Sequence, residues 1–218
     1  SFVCAAGTYS LAGATICTNC APGKFSSQGR SSCSICQPGT YFNGVGASAC
    51  TPCPAGSYCP TAGLTASTQA PAGSQCASAG MSQCTKCGAG SASSAGSSAC
   101  DQCPLGQYHH STGNTACLKC PTGSYGATKG LSKCAVAPAG TYVPVVGLSA
   151  VRSIPAGFFG ASNNQSKCCL SECPSATFSL AGATVCSNCA AGTFSGGGKG
   201  SCSACVPGTY STVKSSSC

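Results

Sequence analysis

Twenty-four cysteines dominate the chemistry open to this 218-residue chain. Eight Cys-x-x-Cys pairs, such as Cys17/Cys20 and Cys33/Cys36, have the local spacing of zinc knuckles, so thiolate coordination is one chemistry they could support. A tetrahedral site needs two complete pairs, however, and Cys134 and Cys173 would be left without a mate. Thiol–disulfide exchange needs a thiol of depressed pKa at a helix end, and no helical pattern is visible. Disulfide stapling is the chemistry that remains. Other reactive groups are sparse. His109 and His110 are adjacent and follow an aromatic, so in a strand they would point to opposite faces, which favours a surface pair over a catalytic or metal role. Asp101 and Glu172, the two acids of the chain, are too far apart in sequence to serve as an acid–base pair.

The elements that must hold these cysteines repeat. Repeats start at Cys4, Cys20, Cys36, Cys53, Ala70, Cys87, Cys103, Cys120, Ala137, Ile154, Cys173, Cys189 and Cys205, a nearly constant interval that lengthens once, between Ile154 and Cys173. Three positions after each start comes glycine, failing at Ala176 alone, and five after it comes an aromatic in eleven of thirteen repeats. Each repeat therefore reads as a Pro-Gly type turn, a two- or three-residue strand carrying the ring, and a second glycine that allows reversal. The expectation is a small disulfide-rich repeat fold: an elongated rod of about 13 short β-hairpin or turn units, without helix or large core. A repeat this short cannot bury its ring alone, so the ring is expected to sit on the neighbouring repeat, with repeats stacked at the ~10 Å spacing of packed sheets and contacting nearest neighbours.

The simplest pairing closes each repeat on itself: Cys4 with Cys17, Cys20 with Cys33, Cys36 with Cys50, Cys87 with Cys100, Cys103 with Cys117, Cys120 with Cys134, Cys173 with Cys186, Cys189 with Cys202 and Cys205 with Cys218. The irregular repeats fit this rule, because the Ala137 repeat has lost both ends of its loop together (Ala137, Val151). In the next irregular pair the far Cys of one repeat is Ser67 but Cys59 is gained, and the near Cys of the other is Ala70 but Cys76 is gained. Pairing of Cys53 with Cys59 and Cys76 with Cys84 follows, with Cys59–Cys76 and Cys53–Cys84 as the rival. Cys168 and Cys169 either bond to each other or reach another chain.

Composition excludes an ordinary globule. Val, Leu, Ile and Phe together make up only about one position in eight, while Ala and the 24 Cys supply most of the nominal hydrophobic fraction. Large side chains below about a fifth of the chain cannot build a core of this size, and cysteine at this density belongs to the oxidising exterior of the cell. The net charge of +8 is strung along the chain with no basic cluster, and no aromatic–basic interleaving supports nucleic-acid binding. No apolar run approaches the ~18 residues of a membrane span. No cofactor is expected.

By cysteine content the chain divides into regular repeats over 1–52, two altered repeats over 53–86, regular repeats over 87–134, a cysteine-poor apolar stretch over 135–172, and regular repeats over 173–218. The last block aligns with the first, Cys173 falling on Cys4 and Tyr210 on Tyr41, and it includes Ser-Leu-Ala-Gly-Ala-Thr at Ser10–Thr15 and again at Ser179–Thr184. A second super-repeat therefore begins at Cys173. The chain opens just before a repeat without Met or an apolar leader, and is expected to be a window on a longer repetitive molecule. In the cysteine-poor stretch Val143, Val145, Val146, Leu148, Phe158 and Phe159 are candidates for an interface between subunits; the rival reading is that they replace the missing crosslinks by packing inside their own repeats. Asn164-Gln165-Ser166 is an N-glycosylation sequon. Ser and Thr, which make up about a quarter of the chain and often fall in turns, suggest O-linked glycans as well.

The pattern Cys-Pro-Ala-Gly-x-Tyr, then Gly, then Cys-x-x-Cys, as in Cys53–Tyr58 and Cys103–Cys120, resembles the short cysteine-rich repeats of ephrin-receptor ectodomains and of giant algal and protist surface proteins. The closed loop is similar to the simplest module of tumour-necrosis-factor-receptor cysteine-rich domains. The resemblance covers essentially the whole chain and implies an extracellular array; none of those receptors' binding residues maps onto the repeat. The expected role is a non-enzymatic, secreted structural subunit of an extracellular fibre or surface appendage, its partners being copies of itself and glycans. The alternative is the stalk or ligand-binding ectodomain of a receptor or adhesin.

Overall fold

A tight turn begins each repeat. In Pro54-Ala55-Gly56-Ser57 the Ser57 N–H donates to the Pro54 carbonyl at 3.0 Å and Gly56 has φ +82°, the left-handed value that the third position of a type II turn requires. Where the fourth residue is Ser or Thr, its hydroxyl often donates to the same carbonyl, as Thr8 does to Ala5 and Thr141 to Pro138. The sequence thus encodes the turn twice, once by glycine and once by the hydroxyl.

The computed structural model describes residues 3–169 and 171–218. Among them there is no helix, and twelve antiparallel hairpins of two-residue strands follow one another in chain order. Thr8–Tyr9 pairs with Thr18–Asn19, and Phe158–Phe159 with Ser171–Glu172 across the longest loop. The Cys205 repeat keeps its turn and its Cys205–Cys218 bond without paired strands, so twelve of the thirteen repeats are hairpins. The chain divides into two compact bodies, Ser1–Gln102 with Ser111–Ala116, and Cys103–His110 with Cys117–Cys218, a division that falls inside the regular block 87–134.

Within each body, neighbouring repeats are joined by the main chain. Between the Cys4 and Cys20 repeats, Gly7 N–H donates to Ser26 O (2.8 Å), Cys20 N–H to Gly7 O (2.9 Å), Ser10 N–H to Arg30 O (3.3 Å) and Gly29 N–H to Cys4 O (2.9 Å). The same four bonds recur between the Ala137 and Ile154 repeats, through Gly140, Ile154, Val143 and Asn164 as donors. Parallel bridges such as Tyr9 with Arg30 and Phe178 with Lys199 mark the same junction. Repeats therefore meet as strands of a sheet do, at a main-chain separation of about 4.8 Å, and not as stacked sheets.

That close approach decides the core. The aromatic rings do not fill it: Phe25, Tyr41, Tyr58, Tyr125 and Phe194 are half-buried and Tyr210 is 84% exposed. The buried positions are the repeat start and the residue after the aromatic. Cys20, Cys36, Cys53, Cys103, Cys120 and Cys189 at the start are fully buried, and Ser26, Ser93, Ser179, Ser195 and Ser211 line the second position. The serines are satisfied across the junction, Ser26 donating to Thr8 O at 2.9 Å and Ser93 to Ser74 O at 2.8 Å. Where main chains are hydrogen-bonded to one another, a sulfur or a hydroxyl fits between them and a ring does not.

The contacts also reach beyond the nearest neighbour. From the third repeat onward the second glycine of most repeats lies against the turn glycine two repeats earlier, so that a Cβ on Gly7, Gly23, Gly39 or Gly56 would overlap the carbonyl oxygen of Gly46, Gly63, Gly80 or Gly96. Gly106, Gly140 and Gly157 meet Gly147, Gly182 and Gly198 in the same way in the second body. Asn164 takes the tip position opposite Gly123, with φ +63°.

Candidate functional site

The structure joins Cys4 with Cys17, Cys20 with Cys33, Cys36 with Cys50, Cys87 with Cys100, Cys103 with Cys117 and Cys120 with Cys134. Cys173 bonds Cys186, Cys189 bonds Cys202, and Cys205 bonds Cys218. In the altered repeats Cys53 bonds Cys59 and Cys76 bonds Cys84, and Cys168 bonds Cys169. The core explains the two altered pairs. Cys59 and Cys76 occupy the second buried position, the one that serine fills elsewhere, so each sulfur already lies inside its repeat when the usual partner is Ser67 or Ala70. The two members of each Cys-x-x-Cys thus serve different disulfides, one closing the repeat behind and one opening the next.

The cysteine-poor stretch keeps the same architecture by exchanging volume between the two buried positions. The Ala137 repeat pairs a small start with Val143, and the Ile154 repeat pairs a large start with Gly160; Val143 and Ile154 are both fully buried. A Cβ on Gly160 would overlap Ile154 Cδ1. Val143, expected as an interface candidate, is therefore a core residue instead, fully buried while its backbone N–H donates to Gln165 O at 2.9 Å across the junction. Val145 and Val146 remain about half exposed, at 52% and 54%, while Leu148, Phe158 and Phe159 are half-buried.

The rings of His109 and His110 do not point to opposite faces but stack, with centroids 5.4 Å apart and planes 21° from parallel. The strand ends at Tyr108, so side-chain alternation does not extend to the pair, and Tyr108 lies 6.5 Å from the His110 ring. Asp101 lies in the first body and Glu172 in the second. Asn164 is exposed at its loop tip, its backbone N–H held by Ala137 O at 2.8 Å. Neighbouring Asn163 accepts from the Ala139 N–H through Oδ1 at 2.9 Å. Lys119 lies across Gly147, and Lys86 across Gly113, each covering the loop tip two repeats on.

These features define a disulfide-stapled repeat protein, without helix among the described residues, whose junctions within each body are made by main chain. Residues 90–133, about one fifth of the chain, match the family model described as tyrosine-protein kinase ephrin type A/B receptor-like. No curated protein matches the chain. The matched segment contains the regular Cys103–Cys117 loop, and with the twelve disulfides it points to a cysteine-rich domain of the extracellular kind. Among the described residues no helix is long and apolar enough to cross a membrane.

Proposed function

We propose that the chain is a non-enzymatic structural element of an extracellular fibre or surface appendage, joined to copies of itself. The observation that carries this reading is the make-up of the junction. Within each body the same four main-chain hydrogen bonds recur whether the start residue is Cys, Ala or Ile, so the array extends itself with little demand on exposed side chains. The recurrence of the first block from Cys173 onward supports it further, because a fixed super-repeat sets a fixed axial period. Catalysis has little to draw on, since the described cysteines are in disulfides and the two acids lie in separate bodies.

The second reading, a stalk or ectodomain of a receptor or adhesin, is favoured by the match of residues 90–133 to a receptor-derived repeat. Electron microscopy of native, unreduced material separates the two. Filaments with a constant axial period comparable to one super-repeat are expected; isolated short rods attached to a head or a membrane would overturn the fibre reading.

A further inference from the structure

Along the Cys120 repeat, between Tyr108 of the Cys103 repeat and Asn164 of the Ile154 repeat, the surface opens into a groove of about 290 Å³ whose walls include Pro121, Lys133 and Val136. Val136 is 50% exposed and Pro121 is exposed, so the floor is an apolar ledge bordered by one cation. Asn164 is carried to the rim by its left-handed backbone (φ +63°), at the loop position that glycine occupies in most other repeats. It begins the sequon Asn164-Gln165-Ser166.

We propose that Asn164 carries an N-linked glycan whose first sugars lie along this groove. The assignment rests on the extracellular part of the proposed function. Two structural facts favour it over a chance sequon. First, Asn164 lies between Cys134 and Cys168, where no disulfide closes a loop; Cys134 is tied backwards to Cys120, and the Cys168–Cys169 bond encloses no intervening residue. Second, Asn164 is an exposed residue in the folded loop, its Oδ1 lying across the Gly123 turn, and a sugar face can cover Val136 and Pro121 while its hydroxyls stay in water. In the transfer, Asn164 Nδ2 attacks the anomeric carbon of a lipid-pyrophosphate-linked oligosaccharide. The sugar–phosphate bond breaks, the N–C bond forms, a proton leaves the amide nitrogen, and the pyrophosphate departs on its lipid.

The test is peptide mass spectrometry of the natively secreted protein treated with peptide N-glycosidase in heavy-oxygen water. The Asn164 peptide is expected to lose its glycan and appear as heavy-labelled Asp; a bare Asn164 peptide overturns the proposal and leaves the fibre reading standing, whereas retention of the chain inside the cell sinks both. The control variant is Ser166→Ala, which destroys the sequon and keeps the residue at the loop tip. The glycan is expected to be lost in S166A, and its persistence there would place it elsewhere and overturn the assignment. Lys133 reports where the sugars lie. It is expected to react several-fold more slowly with an acylating reagent in the glycosylated protein than in S166A, and equal rates overturn the groove placement.

Discussion

The turn glycines are required for two separate reasons, and substitution distinguishes them. At Gly56 both operate: φ is +82° and a Cβ would overlap the Gly96 carbonyl oxygen. Gly56→Ala is therefore expected to destabilise its repeat by about 2–4 kcal/mol, from backbone strain plus a displaced carbonyl, read as a lowered midpoint in non-reducing urea denaturation. Ala176 is the natural counterpart, a non-glycine residue at φ +72°. Ala in this region costs about 1–2 kcal/mol, against the about 0.5–1 kcal/mol that glycine loses through unfolded-state entropy. Ala176→Gly should accordingly raise stability by a fraction of a kcal/mol to about 1 kcal/mol, visible as a higher melting temperature. These positions were legible in the sequence as turns. Their second role, facing a loop tip two repeats further along, was not, because spacing along the chain does not show which repeat lies across from which.

Hairpins of two-residue strands have almost no stability of their own, so each depends on its staple and its neighbours. Removing one staple, as in the double variant Cys103→Ala with Cys117→Ala, opens a loop whose ends are 14 residues apart and is expected to cost about 3 kcal/mol. Local proteolysis within that loop, with the flanking repeats protected, is the measurement. In the Ala137 repeat packing takes over from the disulfide. Val143→Ser is expected to destabilise by about 2 kcal/mol or more, whereas Val146→Ser, on the surface, should change stability by less than about 0.5 kcal/mol. If Val146 joins subunits, its variant shortens filaments without altering the melting curve; unchanged filament length removes it from the interface. Hairpins, closing disulfides and repeat boundaries were all readable from cysteine and glycine spacing. The core differs from that reading, because the recurring aromatic looks like the residue to bury, and only the main-chain junction shows that a half-exposed ring and the buried Ser26 or Ser179 after it fit the available space.

Over the whole molecule the cysteines govern charge as well as shape. The sequence isoelectric point of 8.6 counts every thiol as titratable. With the described cysteines in disulfides, which do not titrate, the native protein should focus higher, near pH ~10. Reduction should move it down towards 8.6, and alkylation of the reduced thiols with a neutral reagent should move it back. A native value already near 8.6 would mean that many thiols are free. The second-neighbour contact between glycines has a different consequence, one that concerns the gene. Because a carbonyl at one loop tip meets a bare turn two repeats earlier, and both partners are backbone, most repeats can serve as second neighbour to most others. In-frame loss or duplication of a single repeat then re-forms equivalent contacts on either side of the join. Unequal crossing-over then lengthens or shortens the array one repeat at a time, and this extends even to the Ala137 and Ile154 repeats, because each is matched in volume within itself, through Val143 and through Gly160.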